Sequence, residues 1–294
     1  MHVAYNDMGP LHVFRNILLE QAGTTTVFYQ HTNSTYELYE YRQRVSGRHI
    51  HWAFMYHGIE AHWSRQQAAL HESLQCRALD RRVYGPFWSV HIRRNANINR
   101  RTNGNGPIIA AFNTAFIAGG INGHEIHTAF MAGLLELLNS AGNQDVELIF
   151  KTKKPFDVYL ASPLAPLRNV AQALASHPRV TLMDHKIDAG GVIGNADLTV
   201  SMAFASPAIE ALLAGKRGIF FDPLNAYPYS YLTRFPNLVA TSSAELSKEV
   251  DRLRLKKAPE RDAGLSRELA AEYAVTDAER PDQRFRKDLK TLLT

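Results

Sequence analysis

The sequence predicts an α/β protein made of two doubly wound, parallel-sheet domains, and three observations carry that expectation. Short apolar strands alternate with amphipathic helices over residues 108–222, the pattern of a parallel sheet covered on both faces. The opening of the chain repeats the strand–helix–strand unit. Between the two regions, residues 95–107 are dense in Asn, Gly and Arg and have no apolar periodicity. At 294 residues the chain is long enough for two cores of ordinary domain size.

In the first region, His2–Tyr5 reads as a strand, Asn6–Pro10 as a loop, Leu11–Gln21 as a helix stopped by Gly23, and Thr25–Tyr29 as a strand. His49–Tyr56 is a further strand-like run that ends at His57-Gly58. From there to Leu79 polar and apolar residues recur at helical spacing, and Tyr84-Gly-Pro-Phe-Trp88 is rich in turn formers. The boundary is placed in the Asn/Gly/Arg stretch, giving domains of residues 1–105 and 106–294. The first is short for a complete doubly wound sheet, so fuller relatives are expected to carry more chain upstream.

The second region runs strand Ile108–Phe112, helix Glu125–Ser140, strand Val146–Lys151, helix Leu164–Ser176 and strand Val180–Met183. A short helix near Gly190–Asn195, strand Leu198–Met202, helix Pro207–Ala214 and strand Gly218–Asp222 complete the alternation.

Composition bounds the function. Hydrophobic residues make up 45% and charged residues 21%, as in a globular protein with little disorder. The single cysteine, Cys76, forms no internal disulfide and suits a reducing cytoplasm. The first residues lack the pattern of a signal peptide, and no apolar run is long enough to span a membrane. Net charge is +5, with clusters at Arg93-Arg94, Arg100-Arg101 and Lys151–Lys154, so anionic partners are expected. Nucleotide phosphates and the anionic face of the inner membrane both fit; nucleic acid is set aside because no docking motif accompanies the charge.

The sharpest constellation is Asp197-Leu-Thr-Val-Ser201-Met-Ala-Phe204-Ala205-Ser206-Pro-Ala-Ile-Glu210. Ser201 ends a strand, where open α/β sheets bind ligands, and Ser206 is placed to cap a helix whose first residue is Pro207. Helix-start amides and two hydroxyls then converge on an anion, with phosphate the natural occupant. Glu210, one turn on, is positioned to accept both hydroxyls of a ribose. The alternative stays open: Ser-Pro-x-x-Glu also approximates an ordinary N-terminal cap.

This stretch, Ser201–Ala211 with Gly215-Lys216 and Asp222-Pro223, resembles the nucleotide-binding segment of GT-B glycosyltransferases that build bacterial surface polysaccharides. The resemblance extends to Phe112-Asn113-Thr114 and Phe150-Lys151-Thr152-Lys153, and more faintly to Tyr5-Asn6-Asp7 and Gln30-His31-Thr32. It implies two Rossmann-like domains, a cleft between them and a nucleotide-activated sugar donor. It also implies a donor site that includes Phe204 and Ala205. Some relatives are similar to Kdo transferases, so CMP-Kdo is the favoured donor, with UDP- and GDP-sugars open. Where relatives tend to carry Asp, this chain has Asn113, which weakens any acid or base role there.

Lys151, Lys153 and Lys154 follow a strand and alternate in direction, so one or two ammonium groups are expected at donor phosphate or a donor carboxylate, unless they are a solvated strand end. His185 follows the next strand, where a nucleobase would lie in this fold, with a polar loop residue as its alternative. In the first domain Asn6, Asp7, His31 and His57 each follow a strand and are expected at the ligand end. Asp7 and His31 have the chemistry to deprotonate an acceptor hydroxyl or, for Asp7, to act as nucleophile. Their structural alternatives are turn and loop hydrogen bonds.

No metal or cofactor is expected: His49-Ile-His51 and His124-Glu-Ile-His127 lack zinc-enzyme spacing, and no Asp-x-Asp holds a metal–nucleotide. The reading is a cytoplasmic transferase, peripheral at the inner membrane, acting on a glycan or lipid-linked acceptor. Its rivals are a non-hydrolysing epimerase and a catalytically silent nucleotide- or carbohydrate-binding module.

Overall fold

The computed structural model describes residues 1–4, 10–30, 56–74, 80–86, 106–114, 123–228, 230–255, 259–273 and 280–292. It divides into two compact units: Met1–Val90 with Tyr229–Tyr231 and Arg267–Thr294, and His91–Pro228 with Leu232–Ser266. Asn6, Asp7, His31 and most of the expected linker lie outside the described residues.

The first unit holds β1 (His2–Ala4), α1 (Pro10–Gln21), β2 (Thr26–Tyr29), β3 (Ile59–His62), α2 (Arg65–Leu74) and β4 (Asp80–Val83). The four strands pair in parallel in the order β1-β2-β3-β4. One of these elements, β3, corrects the sequence reading. The stretch after His57 is not helical throughout; it begins with β3, whose four residues are all buried, and apolar–polar spacing over so short a strand does not separate it from a helix. His57 therefore precedes a strand and sits at its amino end, not at the ligand end. Its Nε2 is 2.9 Å from Asn16 Nδ2 of α1, and its ring stacks at 5.0 Å on Phe28. His57 is a core residue.

The second unit contains β5 (Ile108–Phe112), α3 (His124–Asn139), β6 (Glu147–Lys151), α4 (Asp157–Leu160), α5 (Ala165–Ser176), β7 (Val180–Met183), α6 (Ala189–Gly194), β8 (Leu198–Met202), α7 (Pro207–Leu213), β9 (Gly218–Phe221), β10 (Val239–Ala240) and α8 (Ser243–Arg254). Six parallel strands lie in the order β10-β9-β8-β5-β6-β7. Alternation along the strands fills two cores. Ile109 and Ala111 of β5 join Phe130, Leu134, Leu148 and Phe150 on one face, while Ile108, Ala110 and Phe112 meet Val192, Ile193 and Ala211 on the other.

Two glycines set local geometry. Gly215 ends α7 with φ +72°, a left-handed conformation in which Lys216 N reaches back to Ala211 O at 2.8 Å. A Cβ at Gly218 would lie 2.2 Å from Ala208 O, so only glycine lets β9 run this close to α7.

The chain ends in α9 (Pro259–Glu272) and α10 (Pro281–Thr291). The carboxylate of Glu272 accepts from Gln66 N at 2.7 Å, Tyr84 Oη donates to Asp288 at 2.6 Å, and Phe285 packs on Tyr29 and Tyr84. The expected second domain ran to residue 294; these contacts group the last helix with the first unit instead. A division made at one linker has no means of registering a returning segment.

Candidate functional site

The strand order of the second unit fixes where its ligand end lies. From β5 the chain moves outward to β6 and β7, then returns to the other side of β5 for β8, β9 and β10. The reversal leaves a crevice at the carboxyl ends of β5 and β8, the place where open α/β sheets bind ligands. Phe112 pairs in register with Ser201 on one side and with Lys151 on the other, so these residues form one row across the sheet end and share a face.

Ser201 is completely buried, and its Oγ has no hydrogen-bond partner among the described residues. A buried hydroxyl without a partner costs stability unless something occupies the position beside it. After β8 the chain turns: Ala205 N donates to Met202 O at 2.7 Å, and Phe204 packs edge-on against Phe220 at 5.0 Å and against Tyr227 at 5.6 Å. Phe204 is thus held in the core, and half-buried Ala205 and Ser206 form the surface of the turn.

Ser206 departs from its expected role. It already has helical angles, φ −59° and ψ −28°, and its side chain makes no cap hydrogen bond, although Pro207 does occupy the first helical position. Its hydroxyl instead donates to the Glu210 carboxyl one turn on. The helix has only seven residues, so its dipole is a small contribution and the side chains carry the chemistry. Glu210 is 5% exposed; burial, together with the charge of Asp188, raises its pKa against the Ser206 hydrogen bond. Asp188 caps α6, accepting from Gly191 N at 3.0 Å. It belongs to this constellation although the sequence reading passed over it; the only signal was Asp before Ala-Gly-Gly, an N-cap pattern.

Lys151 is buried and Lys153 and Lys154 are exposed; strict alternation would have set Lys151 and Lys153 the same way, but the strand ends at Lys151 and the two later lysines lie in the loop beyond it. Lys151 Nζ donates to His185 O at 3.0 Å. Burial lowers its pKa, and the carboxylates of Asp188 and Asp184 act in the opposite sense. The His185 ring is partly exposed, with Nδ1 3.2 Å from Asp184 Oδ1. Asn113 is nearly buried and engaged at both side-chain atoms: Nδ2 donates to Tyr159 Oη at 2.7 Å, and Oδ1 accepts from Lys153 N at 3.1 Å. It joins the loops after β5 and β6. An aspartate there could not donate to the tyrosine.

Lys216, of the Gly215-Lys216 pair, serves the fold. Its ammonium donates to Ile193 O, Gly194 O and Ala196 O at 3.1, 2.9 and 3.0 Å, closing the carboxyl end of α6.

Residues 3–250 match the model of a family described as polysaccharide biosynthesis PFTS motif proteins. No curated protein matches the sequence. Among solved structures, the chain is similar to the Anabaena protein HepE in complex with UDP-glucose, with a TM-score of 0.59 and 12% identity, over 99% of this chain and 78% of that one. It is similar to S. aureus MnaA in a structure with UDP, with a TM-score of 0.58 and 12% identity, over 99% and 75%. A Listeria monocytogenes protein assigned as a UDP-N-acetylglucosamine 2-epimerase gives 0.55 and 14%, over 92% and 69%. At these identities the likeness establishes the fold, the Rossmann-like GT-B class expected from the sequence.

Proposed function

Because the chain belongs to the polysaccharide biosynthesis PFTS motif family, we propose that it is a glycosyltransferase. It moves a sugar from a nucleotide-activated donor to a bacterial surface glycan or its lipid-linked precursor. One observation carries the reading: Ser201, whose hydroxyl has no partner among the described residues, the Ser206–Glu210 pair and Asp188 are gathered at the strand-order reversal of the second unit. In this reading the Glu210 carboxylate accepts the ribose hydroxyls, Ser201 donates to the donor, and exposed Lys153 and Lys154 meet the departing phosphate as charge develops on it. Asn113 and Lys151 hold the loops in place. His185 stands beside the base. Asp7 or His31 takes the proton of the acceptor hydroxyl, and no metal takes part in the transfer.

The sequence resemblance favours CMP-Kdo. The solved complexes named above hold UDP or UDP-glucose, which supports trying UDP-sugars beside CMP-sugars. Peripheral attachment to the inner membrane follows from the basic clusters and a lipid-linked acceptor; among the described residues no helix is long and apolar enough to cross a membrane.

A second reading, an epimerase of nucleotide-sugars, is supported by the fold likeness to the Listeria protein. Incubating the chain with UDP- and CMP-sugars, with and without a glycan acceptor, separates the two. A transferase releases nucleotide in proportion to acceptor; an epimerase isomerises the donor without one. Turnover that ignores acceptor would contradict the transferase.

A further inference from the structure

Among the described residues away from the sheet end of the second unit, a dense group of reactive side chains lies inside the first. Glu60 and His62 are two residues apart on β3 and therefore share a face. His71, in the last turn of α2, packs on that face, its ring 4.7 Å from the His62 ring and nearly perpendicular to it. All three side chains are completely buried. Glu60 Oε2 is 3.1 Å from His62 Nε2, Glu60 Oε1 is 3.7 Å from His71 Nδ1, and one donor atom from each residue lies within 4.8 Å of the others.

The surroundings add a second observation. Gln30 follows β2, its N–H bonding Ala61 O at 2.9 Å one step past the Tyr29–Ala61 register pair. Both atoms of its amide are buried without a hydrogen-bond partner among the described residues, and so is His62 Nδ1. Buried polar atoms left in this state point to an occupant.

We propose that Glu60, His62 and His71 bind a divalent transition-metal ion of the zinc class. Two imidazoles and a carboxylate are the ligand types that such an ion takes. Metal–ligand bonds of roughly 2.0–2.1 Å about a tetrahedral centre put the donor atoms roughly 3.3 Å apart; each imidazole lies near that distance from one carboxylate oxygen of Glu60, His62 at 3.1 Å from Oε2 and His71 at 3.7 Å from Oε1. Water or the Gln30 carbonyl supplies the fourth donor. Arg81 Nε, 3.4 Å from Glu60 Oε2, already balances the carboxylate. It opposes a further positive charge, so the site is of moderate affinity, and Arg81→Gln strengthens it. The ion staples β3 to α2, a structural task separate from sugar transfer.

The test uses the whole wild-type chain. Purified from zinc-supplemented growth, it is expected to retain one equivalent of zinc by elemental analysis. Chelation lowers its melting temperature, and reloading restores it. Cobalt(II) added to the chelated protein gives the intense visible bands of a four-coordinate centre. Folded His62→Gln and His71→Gln variants lose the equivalent. Wild-type protein that holds no zinc after loading, with a melting temperature indifferent to the metal, overturns the proposal whatever the variants do. A metal content unchanged in both variants also overturns it, by placing the ion on other histidines.

Discussion

Lys151 donates to the carbonyl of His185 at 3.0 Å and so ties the end of β6 to the loop after β7. The ammonium is spent within the protein, while Lys153 and Lys154 remain exposed beside it. Lys151→Met is predicted to lower folding stability by about 1–3 kcal/mol, the range for losing a buried hydrogen bond to a charged group. Nucleotide affinity should fall less than in a Lys153→Ala, Lys154→Ala double variant. Denaturant titration and calorimetry check both; the reverse ranking of affinities would place Lys151 on the phosphate.

Lys216 closes the end of α6 through three carbonyls. Lys216→Met leaves those groups unpaired and is expected to cost about 1–3 kcal/mol. The effect belongs to folding, so the melting temperature should drop while the nucleotide dissociation constant of the folded variant stays close to wild type. A selective loss of affinity would contradict the capping role.

His127 lies buried in α3, 5.5 Å from the Tyr159 ring, and burial pushes its pKa down from 6.5 to about 4. The unfolded chain therefore binds a proton that the folded one refuses between those values. Stability from neutral His127 is complete above about pH 6.5 and falls as the pH drops toward 4, by on the order of 3 kcal/mol at the lower limit. Replacing it, as in His127→Phe, should flatten that part of the stability–pH curve. An acid limb of unchanged slope would show that other groups carry it.

Much of the second unit was legible in the sequence. Strands Ile108–Phe112, Val180–Met183 and Leu198–Met202 fall where apolar runs between amphipathic helices put them, because a sheet covered on both faces leaves no other reading. The first unit was less legible. β3 carries Glu and His inside a core, and β4 reads Asp-Arg-Arg-Val, so neither has the apolar signature of a strand. His57 was misplaced for that reason.

The site was legible in its position more than in its contacts. Ser201 and Glu210 stand at the crevice, but nothing in the spacing showed that Ser206 would turn to Glu210, that Asn113 would bond Tyr159, or that Lys216 would cap α6. The Glu60-x-His62 pair gave no warning either. A search by histidine spacing along a helix does not see a strand pair completed by a residue nine positions on.

Nucleotide binding by the second unit through Glu210 is checked by calorimetric titration of UDP, CMP and GDP into wild type and Glu210→Gln. A carboxylate accepts from both ribose hydroxyls, whereas its protonated form turns one of the two oxygens into a donor and leaves one acceptor, and burial raises the Glu210 pKa. Wild-type affinity should therefore weaken on acidification, at a pH above the ordinary range for glutamate. The prediction is saturable binding of at least one nucleotide by the wild type, weakened about tenfold or more and freed of that acid dependence in Glu210→Gln. Failure of all three nucleotides to bind the wild type, or binding that the substitution leaves unchanged, would contradict it.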